Sequence, residues 1–149
     1  MELLTRLIYK DVEVEEAEDM GNPLRRRWEE QFAGHLSFQE KRSIHLYDKG
    51  NSSGFLWHVF SYGKQACLEG RAAEEAFNAE RKYACFVFNQ DSEDALILKN
   101  AKRFSADDLK NEYDVYVADE NFRWTYVKTH ETGWHGPYFY KKETTRRHI

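Results

Sequence analysis

Two parts of the chain place histidines where they could support chemistry. His58 lies in the apolar run 54–62, away from any carboxylate in the sequence. Burial in such a run would lower the pKa of its imidazole and make it a candidate base or ligand. Further along, His130 and Glu131 follow a predicted strand, and His135 lies in the loop beyond them. Because sites are usually built on loops of a rigid sheet, His130 and Glu131 join His58 as the candidate catalytic residues.

Each of these histidines also has a structural interpretation, which we favour. A core histidine bonded to a backbone or tyrosine partner accounts for His58, and a polar cap at a hairpin end accounts for His130 and Glu131. Together with His135 the latter two would offer three metal ligands. Their spacing differs from the helical His-Glu-x-x-His zinc motif, and the glycines and proline nearby disfavour a helix. We therefore predict no metal and no cofactor.

The two cysteines and the remaining motifs provide no catalytic signature. Cys67 and Cys85 lack the CxxC spacing of metal or redox sites. Cys85 alternates with Tyr83 and Val87, which is typical of a small buried residue in a strand. The chain has no glycine-rich phosphate loop and no Gly-x-Ser-x-Gly elbow. These observations favour a protein that is not an enzyme.

Aromatic residues make up 15% of the chain, and some of them are candidates for a binding surface. Tryptophan and tyrosine are favoured anchors of protein interfaces. The candidate ligand-binding residues are Trp124, Tyr126, Trp134, His135 and Tyr138. The first two also fit the core face of a half-buried strand, since Arg123 and Thr125 alternate with them.

The chain has 149 residues and a net charge of −4, which fits a single domain over residues 1–149. Acids dominate residues 1–20 and bases dominate 142–149, so an acidic arm and a basic tail are the candidate flexible ends. An acidic chain disfavours general nucleic-acid binding, which depends on neutralising phosphates. No apolar run approaches the ~18 residues of a membrane helix. The N-terminus lacks signal-peptide features, so a cytoplasmic protein is expected.

Helix start signals occur early in the chain. Asn22 is a good N-cap, and Pro23 then occupies the first helical position, where its missing N–H costs nothing. Ser37 and Glu40 have the spacing of a capping box, in which each side chain accepts a backbone N–H of the other residue. We predict one helix from Asn22 and a second, short helix over 38–45.

The apolar run 54–62 has the period-two pattern of a strand whose two faces are both covered. We predict a buried central strand there, although the eight residues 55–62 also fit a helix. The composition of 48–54 is typical of a loop. A helix is predicted over 64–81, with Leu68 on its apolar stripe and Gly70 weakening it by about 1 kcal/mol relative to alanine.

Sheet is predicted for most of the second half of the chain. Strands at 83–88 and 95–98 are predicted to pair as one hairpin, and strands at 113–118 and 122–129 as another. Asn121 is expected to take a left-handed position in the second turn.

Three shorter elements complete the plan. Ser105, with Asp108 three residues later, begins a further short helix. The last strand covers 137–140 and is expected at an edge, because proline donates no ladder bond. A short strand near 11–15 is also predicted. The result is an α+β domain, with helices on the N-terminal side packed on a single, mainly antiparallel sheet that runs as a meander.

Three segments, 55–62, 95–98 and 119–139, resemble a bacterial family of small cytosolic proteins of unknown function, with FLWHVFSY and THE…GPYF as the markers. The likeness extends over about residues 28–139. The markers are not catalytic signatures, so the resemblance implies no residue roles. The last segment is also similar to hairpins of some bacterial immunity proteins.

The function expected from these observations is that of a small cytoplasmic binding protein, not an enzyme, with another protein as its partner. An immunity-type role, in which acidic and aromatic groups block a toxin's active site, is the most specific form. The alternative is a small hydrolase-like enzyme using His58, or His130 with Glu131. That alternative requires one of these histidines to line a pocket near a carboxylate or thiol. Neither nucleic acid in general nor a membrane is an expected partner, and the oligomeric state stays open.

Overall fold

The computed structural model describes residues 2–47, 54–132 and 134–143. Within these ranges the chain forms five α-helices, one 3-10 helix and seven strands of one sheet. The helices are α1 Glu2–Tyr9, α2 Gly21–Phe32, α3 Phe38–Ser43, α4 His58–Ser61 and α5 Arg71–Ala79, and the 3-10 helix is Ala106–Leu109. The strands are β1 Glu13–Ala17, β2 Leu68–Glu69, β3 Ala84–Asn89, β4 Ala95–Lys99, β5 Val115–Asp119, β6 Trp124–Lys128 and β7 Tyr138–Lys141.

The strands lie in the order β1-β4-β3-β5-β6-β7-β2, and all neighbouring pairs are antiparallel. The predicted α+β class is confirmed. Both predicted hairpins are present, with Val87 of β3 opposite Leu96 of β4 and Val115 of β5 opposite Lys128 of β6. Because β1 joins the outer side of β4 and β2 joins β7, the sheet is wider than a meander of consecutive strands.

Helices cover both faces of the sheet. On one face, Trp28 and Phe32 of α2 pack with Phe60 of α4 and Tyr116 of β5. On the other face, α1, α5 and the 3-10 helix form a second core around Phe77. Strand β5 lies between these cores and is buried along its whole length. It is therefore the spine of the sheet.

The apolar run 54–62 is not the central strand, so that prediction is wrong. It turns into the single-turn helix α4, in which the N–H of Phe60 donates to the carbonyl of Trp57 at 2.9 Å. This turn buries both aromatic side chains. The backbone N–H of Trp57 donates to the hydroxyl of Tyr116 at 3.1 Å, which ties the turn to β5. The periodicity of so short an apolar run does not separate a strand from a helix.

The helix predicted over 64–81 is wrong in its first half. Leu68 lies in the two-residue strand β2, and α5 begins only at Arg71. Between them Gly70 has φ +69°, a conformation that glycine adopts freely, so it turns the chain from strand to helix and does not weaken a helix. The edge position of β7 is also wrong, because β2 pairs with it. The carbonyl of Pro137 accepts the N–H of Gly70 at 2.9 Å.

The predicted helix starts agree closely with the structure. Helix α2 is present but begins at Gly21, one residue before Asn22, so Asn22 is not its N-cap. Ser37 and Glu40 exchange both bonds of the capping box, at 3.1 and 2.8 Å. Ser105 is the N-cap directly before the 3-10 helix, as predicted. Local signals therefore placed three helices within a residue or so of their true starts.

The turn between β5 and β6 is held by Asp119. Its Oδ2 accepts the backbone N–H groups of Asn121 and Arg123, each at 3.1 Å. The left-handed residue of this turn is Phe122, at φ +54°, so the prediction for Asn121 is wrong. The Phe122 side chain is fully buried, and that burial offsets the backbone cost of the left-handed conformation.

The N-terminal segment joins the sheet. It contains α1 and then β1, which pairs with β4 and confirms the strand predicted near 11–15. Most of the predicted loop (48–53) and of the predicted basic tail (144–149) lies outside the described residues. No helix in the described part of the chain is long and apolar enough to cross a membrane.

Candidate functional site

Hydrogen bonds to the loop's own backbone connect described residues of the segment between β6 and β7. The hydroxyl of Thr129 donates to the carbonyl of His135. The N–H groups of Trp134 and His135 both donate to the carbonyl of Glu131, at 2.8 Å. The loop therefore presents Glu131, Trp134 and His135 from one compact turn.

His130 is positioned by Asp114, the residue directly before β5. The Nδ1 of His130 lies 3.0 Å from both carboxylate oxygens, and its backbone N–H donates to Oδ1 at 3.1 Å. The same Oδ1 accepts the indole N–H of Trp57 at 3.0 Å. Asp114 thus joins three parts of the chain: the start of β5, the segment leading into α4 and the loop after β6.

Sequence reasoning missed Asp114, although a signal was present. In the hairpin of β5 and β6, Val115 lies opposite Lys128, so the residue before Val115 must lie close to the loop that follows Lys128. Asp114 has φ +51°, and aspartate is one of the few residues besides glycine that tolerate a left-handed conformation. An aspartate just before a hairpin strand and opposite a histidine was therefore a detectable candidate.

His58 lies on α4 and is half-buried. Its Nδ1 is 2.8 Å from the carbonyl of His45. A carbonyl only accepts, so Nδ1 carries the proton in the neutral ring and Nε2 is left as an acceptor. Burial lowers the pKa of His58 and outweighs the opposing effect of hydrogen bonds to the carbonyls of His45 and Ile44. His58 thus has the backbone partner that the structural interpretation requires, but it also keeps an exposed edge.

Three candidate residues of the two sequence segments, His58, Glu131 and His135, converge on one cavity of about 320 Å³, called here the histidine cleft. His130 is not among the residues that line it. The cleft is lined by Trp57, His58, Ser61, Tyr62, Glu131 and His135. One carboxylate oxygen of Glu131 lies 3.8 Å from Nε2 of His135, and the other lies 3.5 Å from Nε2 of His130. Glu131 is therefore the centre of the polar groups in the cleft.

These groups are chemically suited to two tasks. A histidine that lines a cavity with a carboxylate can hold or move a proton, as in general acid–base catalysis, and His58 with Glu131 meets that condition. The same polar groups, beside the rings of Trp57 and Tyr62, can bind a partner's side chain. Among the described residues, no group of three or more His, Cys, Asp and Glu is arranged to hold a metal ion.

The predicted ligand-binding aromatics fall into two groups. Trp124, Tyr126 and Tyr138 are buried in the two cores. Trp134 is 86% exposed, and the side chain of His135 is about half exposed. Binding by all five stays a prediction, but only Trp134 and His135 present substantial surface to a partner in this conformation.

The cysteines are not placed for catalysis. Cys85 is buried, as predicted, and burial raises the pKa of its thiol to about 12. Burial likewise raises the pKa of the Cys67 thiol to about 11. Because the thiolate is the nucleophilic form, both side chains are weak nucleophiles near neutral pH.

A second concave surface, called here the acidic groove, lies beside β1 and β4. It encloses about 740 Å³ and includes the apolar side chains of Val87 and Leu96. Its carboxylates are Glu15, Glu16, Glu18, Asp94 and Glu112. No lysine or arginine is among the described residues that line it. Part of the acidic excess of residues 1–20 is therefore concentrated in one concave surface.

The fold and the cleft define a small α+β domain, in which an open antiparallel sheet carries helices on both faces and a histidine cleft lies between α4 and the β6–β7 loop. A family model described as a domain of unknown function (DUF4275) matches residues 1–139, and the chain belongs to that family. The predicted resemblance to an uncharacterised family is confirmed. No curated protein and no solved structure matches the chain.

Proposed function

We propose that this protein binds another protein, and that the β6–β7 loop and the histidine cleft form its contact surface. The observation that carries the proposal is Trp134, which is 86% exposed. A tryptophan left in water forgoes the free energy of burying a large apolar side chain. Tryptophan is also enriched among the residues that dominate interface energies. Trp134 is accordingly the proposed anchor of the contact.

The surroundings of Trp134 support the same function. The backbone of its loop is already held by bonds to the carbonyl of Glu131, so a partner would pay little free energy to order it. Tyr62, which lines the cleft beside this loop, is 49% exposed. A second aromatic side chain is thus available at the edge of the proposed contact.

The charge of the chain favours a basic partner. The net charge is −4, and the acidic groove holds five carboxylates. Complementary charge speeds association and selects among partners. The most specific form of the proposal is an immunity-type role in the cytoplasm, in which acidic and aromatic groups cover a toxin's active site. Neither nucleic acid nor a membrane is proposed as a partner.

The proposal is tested by co-purification followed by a binding measurement. The tagged chain is expressed in the cells that encode it, as wild type, Trp134→Ala and Tyr83→Ala. Tyr83 is also exposed, at 73%, and does not line the cleft, so it is the matched control. We expect one protein partner to co-purify with the wild type and the control. The Kd between that partner and Trp134→Ala, measured by calorimetry, should be larger than the wild-type value by about tenfold or more.

Two results would contradict the proposal. One is the absence of any partner at near-stoichiometric amounts with the wild type. The other is equal affinity of a purified partner for the wild type and for Trp134→Ala. A circular-dichroism melt of each variant shows that the comparison is made between folded proteins.

The alternative function, a small hydrolase-like enzyme, is favoured by the contact between Asp114 and His130. A carboxylate on Nδ1 orients an imidazole for proton transfer at Nε2. Purified protein is assayed on a panel of chromogenic esters, with His35→Ala as the control. If the chain is such an enzyme, His130→Ala should lower turnover by about 10²–10⁴-fold. Equal background rates for the wild type and His130→Ala would exclude this function for those esters.

A further inference from the structure

Two polar side chains that line the histidine cleft, those of Glu131 and His58, offer a ligand only hydrogen-bond acceptors. The carboxylate of Glu131 only accepts. The neutral ring of His58 has its Nδ1 proton committed to the carbonyl of His45, at 2.8 Å, so its Nε2 also accepts. A partner group that supplies several donors would therefore suit the cleft better than one that supplies acceptors.

The cleft also offers aromatic surface next to these acceptors. The rings of His58 and Tyr62 meet at a centroid distance of 5.3 Å, and those of Trp57 and His58 at 4.7 Å. Aromatic faces attract cations, and they attract a planar guanidinium most often. This arrangement of rings favours a cationic group over a neutral one.

The charges around Glu131 point in the same direction. No lysine or arginine is among the described residues that line the cleft. The nearest charged or titratable partners of the Glu131 carboxylate that the structure records are His130 and His135, at 3.5 and 3.8 Å. The carboxylate therefore lacks a fixed cation among the lining residues, and a ligand can supply one.

We infer that the histidine cleft receives an arginine side chain of the partner protein, with its guanidinium between the Glu131 carboxylate and the rings of His58 and Tyr62. A guanidinium is planar and carries five donors, which fits a carboxylate, an imidazole nitrogen and a ring face at once. A lysine ammonium carries three donors and no plane to stack. This inference rests on the proposed function, because it specifies the chemistry of the partner at the same surface.

The test uses small probes, so it does not require the partner to be known. Nα-acetyl-arginine N-methylamide is titrated into the full chain at constant ionic strength, and ¹H–¹⁵N spectra are recorded. The citrulline analogue has the same shape without the charge, and the lysine analogue has the charge without the plane. We expect saturable shifts at Trp57, His58, Glu131 and His135 with the arginine probe. The affinity of each of the two analogues should be lower than that of the arginine probe by about tenfold or more.

Two matched variants locate the binding. Glu131→Gln removes the carboxylate of the cleft, and Glu16→Gln removes a carboxylate of the acidic groove with the same change in net charge. Both keep the backbone, so the loop bonds to the carbonyl of residue 131 persist. We expect Glu131→Gln to weaken arginine binding by about fivefold or more and Glu16→Gln to leave it unchanged.

Three results would overturn the inference: equal binding of the citrulline or lysine probe, shifts centred on the acidic groove, or unchanged affinity of Glu131→Gln. The proposed function fails separately. If the arginine probe does not bind but Trp134→Ala still loses the partner, the cleft inference falls and the protein-binding function stands. If the probe binds in the cleft but no partner depends on Trp134, the inference about cleft chemistry holds and the proposed contact surface falls.

Discussion

The imidazole Nδ1 of His130 lies 3.0 Å from both carboxylate oxygens of Asp114. This contact spans the hairpin of β5 and β6, since Asp114 precedes one strand and His130 follows the other. Asp114 also accepts the indole N–H of Trp57. One side chain therefore fixes the position of the loop, of the cleft and of the segment entering α4.

Replacing Asp114 should test this role. Asp114→Ala removes the acceptor of Trp57 and places alanine at φ +51°, so we expect a loss of about 2–4 kcal/mol in the free energy of unfolding. Asp114→Asn keeps an acceptor oxygen and tolerates the left-handed backbone, so its loss should be smaller, about 1 kcal/mol. Urea unfolding measures both, and the indole N–H resonance of Trp57 reports the lost bond. Equal losses for the two variants would show that Asp114 does not act through these contacts.

The pair of Asp119 and Arg123 predicts a dependence of stability on pH. Burial alone would raise the pKa of Asp119, but hydrogen bonds from the side chain and backbone of Arg123 and the backbone of Asn121 lower it overall. A carboxylate with a lowered folded-state pKa stabilises the fold above its unfolded pKa, and that stabilisation is lost as pH falls through the folded value. We expect Asp119→Asn to cost about 1–3 kcal/mol near pH 7.

The measurement is urea unfolding of both proteins from neutral pH down to about pH 3. The difference in free energy of unfolding between the wild type and Asp119→Asn should shrink below about pH 4, where the unfolded aspartate begins to take up its proton. Glu120→Gln, which changes a neighbouring exposed carboxylate, should show no comparable gap. A gap that stays constant with pH would mean that the charge of Asp119 is not what stabilises the turn.

His58 predicts a second pH effect. Its pKa is lowered by burial, so the unfolded chain binds a proton more readily than the folded chain does. The contribution of His58 to stability is therefore present above its unfolded pKa, about 6.5, and declines as pH falls from there toward the folded value. His58→Phe removes this dependence and also the bond to the carbonyl of His45.

We expect His58→Phe to cost about 1 kcal/mol at pH 7.5 and to approach or exceed wild-type stability at about pH 5. Guanidinium unfolding at several pH values provides the comparison, with the exposed His35→Phe as a control. If the loss of unfolding free energy caused by His58→Phe becomes larger on acidification, the sign of the His58 pKa shift is wrong.

A buried hydrogen bond gives a prediction for the core. The indole N–H of Trp28 donates to the hydroxyl of Thr125 at 2.8 Å, and that hydroxyl donates to the carbonyl of Val117 at 2.7 Å. Thr125→Val keeps the shape but leaves the indole N–H unpaired, so it should cost about 1–3 kcal/mol. Thr125→Ser keeps the hydroxyl and should cost less. In the background of Trp28→Phe, which has no donor, the loss from Thr125→Val should shrink; an undiminished loss would refute the coupling.

Local sequence signals determined much of the fold. The capping box of Ser37 and Glu40 needs only residues three apart, so its helix could be predicted without tertiary contacts. The strands of the two hairpins are rich in β-branched and aromatic residues and pair with near neighbours in the chain. Cys85 is two residues from Val87 in such a strand, so it could be predicted as buried. These features depend on interactions within a few residues or between adjacent strands.

The tertiary structure decided what the sequence pattern left open. The run 54–62 became a turn of helix because β5 holds the centre of the sheet and Tyr116 binds its backbone. Gly70 became a strand-to-helix turn because β2 pairs with β7. Both outcomes depend on strands that are distant in sequence, and no local period encodes them.

The candidate site shows the same division. The sequence by itself determined which residues have the chemistry, namely His58, His130, Glu131 and His135. Only the tertiary structure decided that His58, Glu131 and His135 share one cleft, and that Asp114 positions His130 beside Glu131. The physical reason is that residue type determines what a side chain can bind, whereas packing of α4 against β5 and the register of β5 with β6 determine which side chains meet.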